Sequence, residues 1–197
     1  MTAKRRLRSR ADPRQATLGL GSAERYKLFF AAMPPASVAV QALELAQRLR
    51  FGISSEPRIP HVTLYGLGDY DGIPHEVIGA VTQAAGSVRA RAFDAVFDGV
   101  QAFNGPRRPL VLRCGKGLHG FVALQNAIGN ALAGAGADRH LFDSSFTPHL
   151  TLFYGGGDVP EQALDEPIAW RVQEFSLILS LQGRKHYEPY GQWKLHG

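Results

Sequence analysis

Pro60-His61-Val62-Thr63-Leu64 and Pro148-His149-Leu150-Thr151-Leu152 are nearly the same pentapeptide, each followed by an aromatic residue and, soon after, a glycine. In a β-strand, side chains two apart point to one face. Each His-x-Thr therefore presents an imidazole beside a hydroxyl, while Val62 with Leu64, and Leu150 with Leu152, turn toward a core. Two such strands facing one another make a cleft holding two histidines, His61 and His149, and two hydroxyls, Thr63 and Thr151. Imidazole exchanges protons near neutral pH and hydroxyls donate hydrogen bonds to anionic oxygens, so the set is acid/base machinery for a phosphate ester.

Chance is a poor explanation. With seven histidines and six threonines in 197 residues, about 0.2 His-x-Thr triplets are expected at random. A single copy in a good strand sequence reads as an ordinary packed histidine. Two copies sharing the preceding Pro and the following Leu do not. The other histidines, His75, His119, His140, His186 and His196, have no comparable partner, and no Cys or third His has metal-ligand spacing with either motif. No metal and no cofactor is expected.

The elements that must position these motifs follow from periodicity. Tyr26 to Ala32 is an apolar, aromatic-rich run that predicts a buried strand, ended by Pro34-Pro35. Ser37 is placed to cap a helix over Val38 to Arg50, closed by Gly52. A proline-punctuated loop then leads into the first motif. Pro74 opens a second helix reaching about Ser87, and Phe93 to Val100 alternates as a half-exposed strand. Asn104-Gly105-Pro106 predicts a turn and Leu110 to Cys114 its partner strand, hence a hairpin. Gly117 to Ala133 has helical spacing and stops at Gly134 to Gly136. The second motif strand runs to Tyr154, with Gly155 to Gly157 as a flexible connection. Ile168 to Leu181 reads as one long β-rich run, Gln182 to Lys185 as a turn, and Tyr190 to Leu195 as a last strand. Strand, helix and strand thus occur about twice, each time delivering one His-x-Thr.

Composition fits a globular chain, 45% hydrophobic and 20% charged, with no apolar run of the roughly 18–20 residues that span a bilayer. A lone Cys114 supports no internal disulfide and suits a reducing cytoplasm. The net charge of +5 is misleading as to location. Residues 1–15 hold Lys4, Arg5, Arg6, Arg8, Arg10 and Arg14 against Asp12, leaving sixteen charges of each sign in the remainder. Residues 1–24 are expected to form a disordered basic arm, either weakly attracted to RNA phosphates or simply solubilising, and residues 25–197 a single domain.

The paired motifs resemble the 2H phosphoesterase superfamily. The Tyr26–Pro35 strand and the Ser176–Leu195 end look like its bacterial and archaeal branch, the RNA 2′,3′-cyclic phosphodiesterases also called 2′-5′ RNA ligases, and the similarity runs from about Tyr26 to Leu195. The resemblance implies an α+β, bilobal fold in which two pseudo-symmetric antiparallel sheets, flanked by helices, surround a central cleft. It implies hydrolysis of cyclic phosphate ends to a 2′-phosphomonoester, with His61 as general acid, His149 as general base, and ligation as the reverse. Thr63 and Thr151 would bind the phosphate. In this branch an arginine often follows the second motif closely; here Phe153 and Tyr154 stand there. Arg184, Arg58 or Arg107 is expected to compensate, and Tyr154, like Tyr65 and Phe153, to stack on a base or to pack. The expected partners are RNA ends or small cyclic-phosphate nucleotides, with a non-catalytic RNA-binding role as the rival from another class. The setting expected is a cytoplasmic monomer, away from membranes.

Overall fold

The structure, a computed structural model, describes residues 24–50, 52–135, 146–184 and 186–197. Residues 1–23 of the basic arm, Gly136, His140 and Lys185 lie outside them. Among the described residues eight strands and three helices follow one another as β1 (Arg25–Ala32), α1 (Ala36–Leu49), β2 (Val62–Asp71), α2 (His75–Ala85), β3 (Phe93–Ala102), β4 (Leu110–Cys114), α3 (Leu118–Gly134), β5 (His149–Phe153), β6 (Gln162–Val172), β7 (Glu174–Leu181) and β8 (Tyr187–Lys194). The fold is α+β and its strand pairs are antiparallel, as the sequence implies. The strands form one sheet in the order β6-β3-β4-β5-β2-β1-β7-β8. What the sequence suggests as two sheets are the two four-stranded halves of this one, each ending at the centre in a motif strand.

A single residue pair joins the halves: Val62 of β2 opposite Leu150 of β5. Both are fully buried and both are the middle residue of a His-x-Thr. Such a short ladder is weak by itself, and the helices brace it. Helix α1 leaves the first half yet packs on β5 and β6, whereas α3 leaves the second half yet packs on β2 as well as β3. Apolar residues such as Ala42, Leu45, Phe121, Leu124 and Ile128 bury that helical layer against the sheet. Each half also carries a stacked Phe–Trp pair, Phe97 on Trp170 at 5.1 Å and Phe175 on Trp193 at 5.2 Å.

Three local readings are corrected. Helix α1 begins behind Pro35 with no side-chain cap, and Ser37 lies inside its first turn. The run from Ile168 to Leu181 is two strands broken at Gln173: β6 is the outer strand of one half, and β7 pairs with β1 in the other. Gly155 to Gly157 is a packed turn in which the Gly155 and Gly156 amides donate to the carbonyls of Arg107 and Arg108 at 2.9 and 3.0 Å. A Cβ on Gly156 would sit 2.6 Å from that of Leu110, so this position needs glycine for close approach.

Removing the side chain at the joint should be costly. Leu150→Ala is expected to destabilise by about 2–5 kcal/mol in urea unfolding. Val40→Ala, on a 52% exposed position of α1, should change stability by no more than about 0.5 kcal/mol. Equal effects at the two positions would contradict a stressed central joint.

Candidate active site

Antiparallel register about Val62 and Leu150 sets His61 against Thr151 and Thr63 against His149. All four lie on the face opposite the two buried aliphatics. They line one cleft of about 750 Å³, with Lys27, Arg58, Arg107, Tyr154, Arg184 and Tyr187 also in its walls. His61, Thr63, His149, Thr151, Tyr154 and Arg184 are therefore in the same concavity, as are Arg58 and Arg107, the other two arginines considered as replacements for the one missing after the second motif.

The two motif strands share an irregularity. The ladder from β1 skips Leu64 between Thr63 and Tyr65, and the ladder from β4 skips Leu152 between Thr151 and Phe153. An extra residue in one strand reverses the in/out phase beyond it. Tyr65 and Phe153, which strict alternation would turn to the cleft, are instead 4% and 0% exposed in the core. They pack and are not base platforms. The phase change brings the residue after the aromatic back to the surface: Gly66 in the first motif, and Tyr154, half-buried in the cleft wall, in the second.

The histidines are held alike. The Nδ1–H of His61 donates to the Ile59 carbonyl and that of His149 to the Thr147 carbonyl, each at 2.8 Å. A carbonyl only accepts, so Nδ1 must carry the proton, and in the neutral ring Nε2 is the free base. Phe29 and Tyr187 pack against the His61 ring at 5.3 and 5.2 Å, and Phe103 packs against His149 at 4.9 Å. Burial among these groups holds His61 down to about 4, opposed by its bond to Ile59 and reinforced by the positive charges of Arg58, His149 and Lys27. Burial also lowers His149, with the Thr147 bond opposing it. The Tyr187 hydroxyl is raised by burial and lowered in part by a hydrogen bond with Arg58. Among the described residues, no group of three or more His, Cys, Asp or Glu comes together as a metal site. No helix among them is long and apolar enough to cross a membrane.

Phe29, Phe103, Lys27 and Tyr187 are missed by sequence reasoning. Phe29 sits in an apolar run that reads wholly as core, and its outward phase shows only against β2 and β7. Tyr187 follows a turn at the far end of the chain, and it reaches His61 because β8 folds back along β7 with Ser180 opposite Tyr187.

Comparison with known proteins agrees with this architecture. The family model described as the 2′-5′ RNA ligase superfamily matches residues 30–184. The crystal structure of E. coli LigT complexed with NADP+ superposes with a TM-score of 0.72 at 24% identity, covering 88% of this chain and 100% of that one. E. coli LigT complexed with 3′-AMP gives 0.71 at 26% identity over 87% and 99% of the two chains. TT0787 of Thermus thermophilus gives 0.71 at 22% identity over 87% and 98%. No curated protein matches the sequence. With its paired His-x-Thr strands at the centre of this sheet and a family match over most of its length, the chain belongs to the 2′-5′ RNA ligase superfamily of 2H phosphoesterases.

Proposed function

We propose that the protein is a metal-independent cytoplasmic phosphodiesterase that opens 2′,3′-cyclic phosphate ends of RNA to a 2′-phosphomonoester, with 2′-5′ ligation as a side activity of the same groups when a 5′-hydroxyl replaces water. The observation that carries this reading is the pair of imidazoles in one cleft, each with Nδ1–H tied to a carbonyl, each flanked by a threonine hydroxyl. Binding alone requires no such matched pair. The nucleotide 3′-AMP found with E. coli LigT supports a nucleotide ligand here too.

In the proposed reaction, neutral His149 takes a proton from water through Nε2 as the oxygen attacks phosphorus. The bond from phosphorus to the ribose 3′-oxygen breaks on the opposite side, and protonated His61 gives its proton to that oxygen. The family resemblance assigns His61 the acid role; its low proton affinity leaves it neutral in the free protein near pH 7, and bound phosphate must raise that affinity for His61 to carry the proton. Thr63 and Thr151 donate hydrogen bonds to the non-bridging oxygens as charge builds there. With a 5′-hydroxyl in place of water the same roles close a 2′-5′ phosphodiester, and exchange of the two roles runs that step backward to a cyclic phosphate and a free 5′-hydroxyl.

His61→Ala and His149→Ala should each lower kcat by about 10²–10⁴-fold with the circular dichroism unchanged, and wild-type hydrolysis should persist in EDTA. Near wild-type turnover in either variant, or turnover lost in EDTA and restored by a divalent cation, would overturn the reading. The pH profile is a separate check. Turnover needs one histidine protonated and the other neutral, and both hold protons less tightly than the ordinary value of 6.5. The bell in kcat/KM should therefore peak below 6.5 and fall as the pH rises past it, when neither imidazole is charged. Bound phosphate raises both groups, so the kcat profile should sit at higher pH than that of kcat/KM. A kcat/KM that stays level to about pH 9 would contradict the pairing.

A further inference from the structure

Tyr154 is bracketed by two arginines from opposite halves of the sheet. The Arg58 guanidinium lies over its ring at 5.4 Å from the centroid, and that of Arg107 at 5.5 Å. Backbone bonds hold the bracket in place on both sides. The Arg58 amide donates to the Leu152 carbonyl at 2.8 Å, and the Gly155 amide donates to the Arg107 carbonyl at 2.9 Å. The Tyr154 amide itself donates to Ser55 Oγ at 3.3 Å.

These arginines differ from several others on the surface. Arg25, Arg50, Arg108, Arg113 and Arg171 each pair with a carboxylate at 3.3–3.8 Å. Among the described residues, neither Arg58 nor Arg107 has a carboxylate within that reach. Lys27 and Arg184 line the same cleft, where Asp69 is the one acidic wall residue among those described. A folded body whose charges balance thus concentrates four cations in one concavity. A cyclic phosphate carries a single negative charge, which the histidine and threonine donors already address. The surplus calls for a second anion close by.

We propose that Arg58 and Arg107, bracketed on Tyr154, form a second phosphate subsite, so that the preferred substrate carries another phosphate on the 5′ side of the cyclic one. This rests on the cyclic phosphodiesterase reading. The second phosphate is either a 5′-monoester on a single nucleotide or the preceding phosphodiester of an RNA chain. Arg107 is the discriminating residue, because Arg58 also touches Tyr187 beside His61.

The test compares three substrates: adenosine 2′,3′-cyclic phosphate, the same nucleoside with a 5′-phosphate, and a diadenylate ending in a 2′,3′-cyclic phosphate. At least one of the two-phosphate substrates should exceed the first in kcat/KM by about tenfold or more, the scale of one charge-assisted hydrogen bond. Preference for the diadenylate alone assigns the subsite to a chain phosphodiester, and equal preference to phosphate in either form. In Arg107→Met, which keeps an aliphatic stem over Tyr154, the two-phosphate to one-phosphate ratio should collapse toward one; Arg107→Lys should restore part of it. The same three ligands are titrated into His149→Ala by calorimetry, so that affinity is read without turnover. Hydrolysis of none of the three would defeat the phosphodiesterase reading, yet tighter binding of the two-phosphate ligands, lost in His149→Ala/Arg107→Met, would still support the subsite. Equal kcat/KM and equal affinity for one-phosphate and two-phosphate ligands, or an unchanged ratio in Arg107→Met, would overturn it.

Discussion

The structure depends on one short contact, the buried pairing of Val62 with Leu150 at the centre of the sheet. Everything proposed to do chemistry is placed relative to that pair. Because side chains alternate along a strand, burying these two residues obliges their neighbours, His61 with Thr63 and His149 with Thr151, to face the other way. Because the strands are antiparallel, each histidine then lies across from the other motif's threonine. A ladder this short has little stability of its own. It is held by α1 and α3, each rising from one half and packing across the other. Core packing and site geometry are therefore the same problem in this protein.

The bulges at Leu64 and Leu152 complete that arrangement. Without them, the aromatic after each motif would project into the cleft. With them, Tyr65 and Phe153 join the core, and the next residue returns to the cleft face. In the first half that residue is Gly66, which leaves space. In the second it is Tyr154, which carries the two guanidinium groups. The pseudo-symmetry of the backbone thus supports an asymmetric cleft. The same asymmetry reaches the histidines, since His61 has two aromatic neighbours and lies near Arg58 and Lys27.

Much of this was legible from the chain alone, for definable reasons. The repeated His-x-Thr survives any reading because type and spacing both recur, and the positions of the helices follow from their periodicity and their prolines and glycines. What stayed hidden depends on partners far away in sequence. A bulge is defined only against the strand opposite, so strict alternation misplaces Tyr65 and Phe153. The run from Ile168 to Leu181 is continuous in hydrophobicity, and only the pairing of β6 with β3 and β7 with β1 divides it at Gln173. Tyr187 has no local mark as a neighbour of His61. Gly155 to Gly157 looks flexible by composition, yet it is bonded to the turn that carries Arg107.

The central claim is that two half-buried imidazoles, both protonated on Nδ1 and free at Nε2, share one phosphate. Long-range proton–nitrogen NMR of the imidazole rings, assigned with His61→Ala and His149→Ala, tests it most directly. At about pH 7 both rings should be neutral in the Nδ1–H form, titrating below 6.5, and inorganic phosphate should raise the titration of both together. An Nε2–H tautomer at either ring, titration at or above 6.5 in the free protein, or a phosphate response at only one histidine would contradict it.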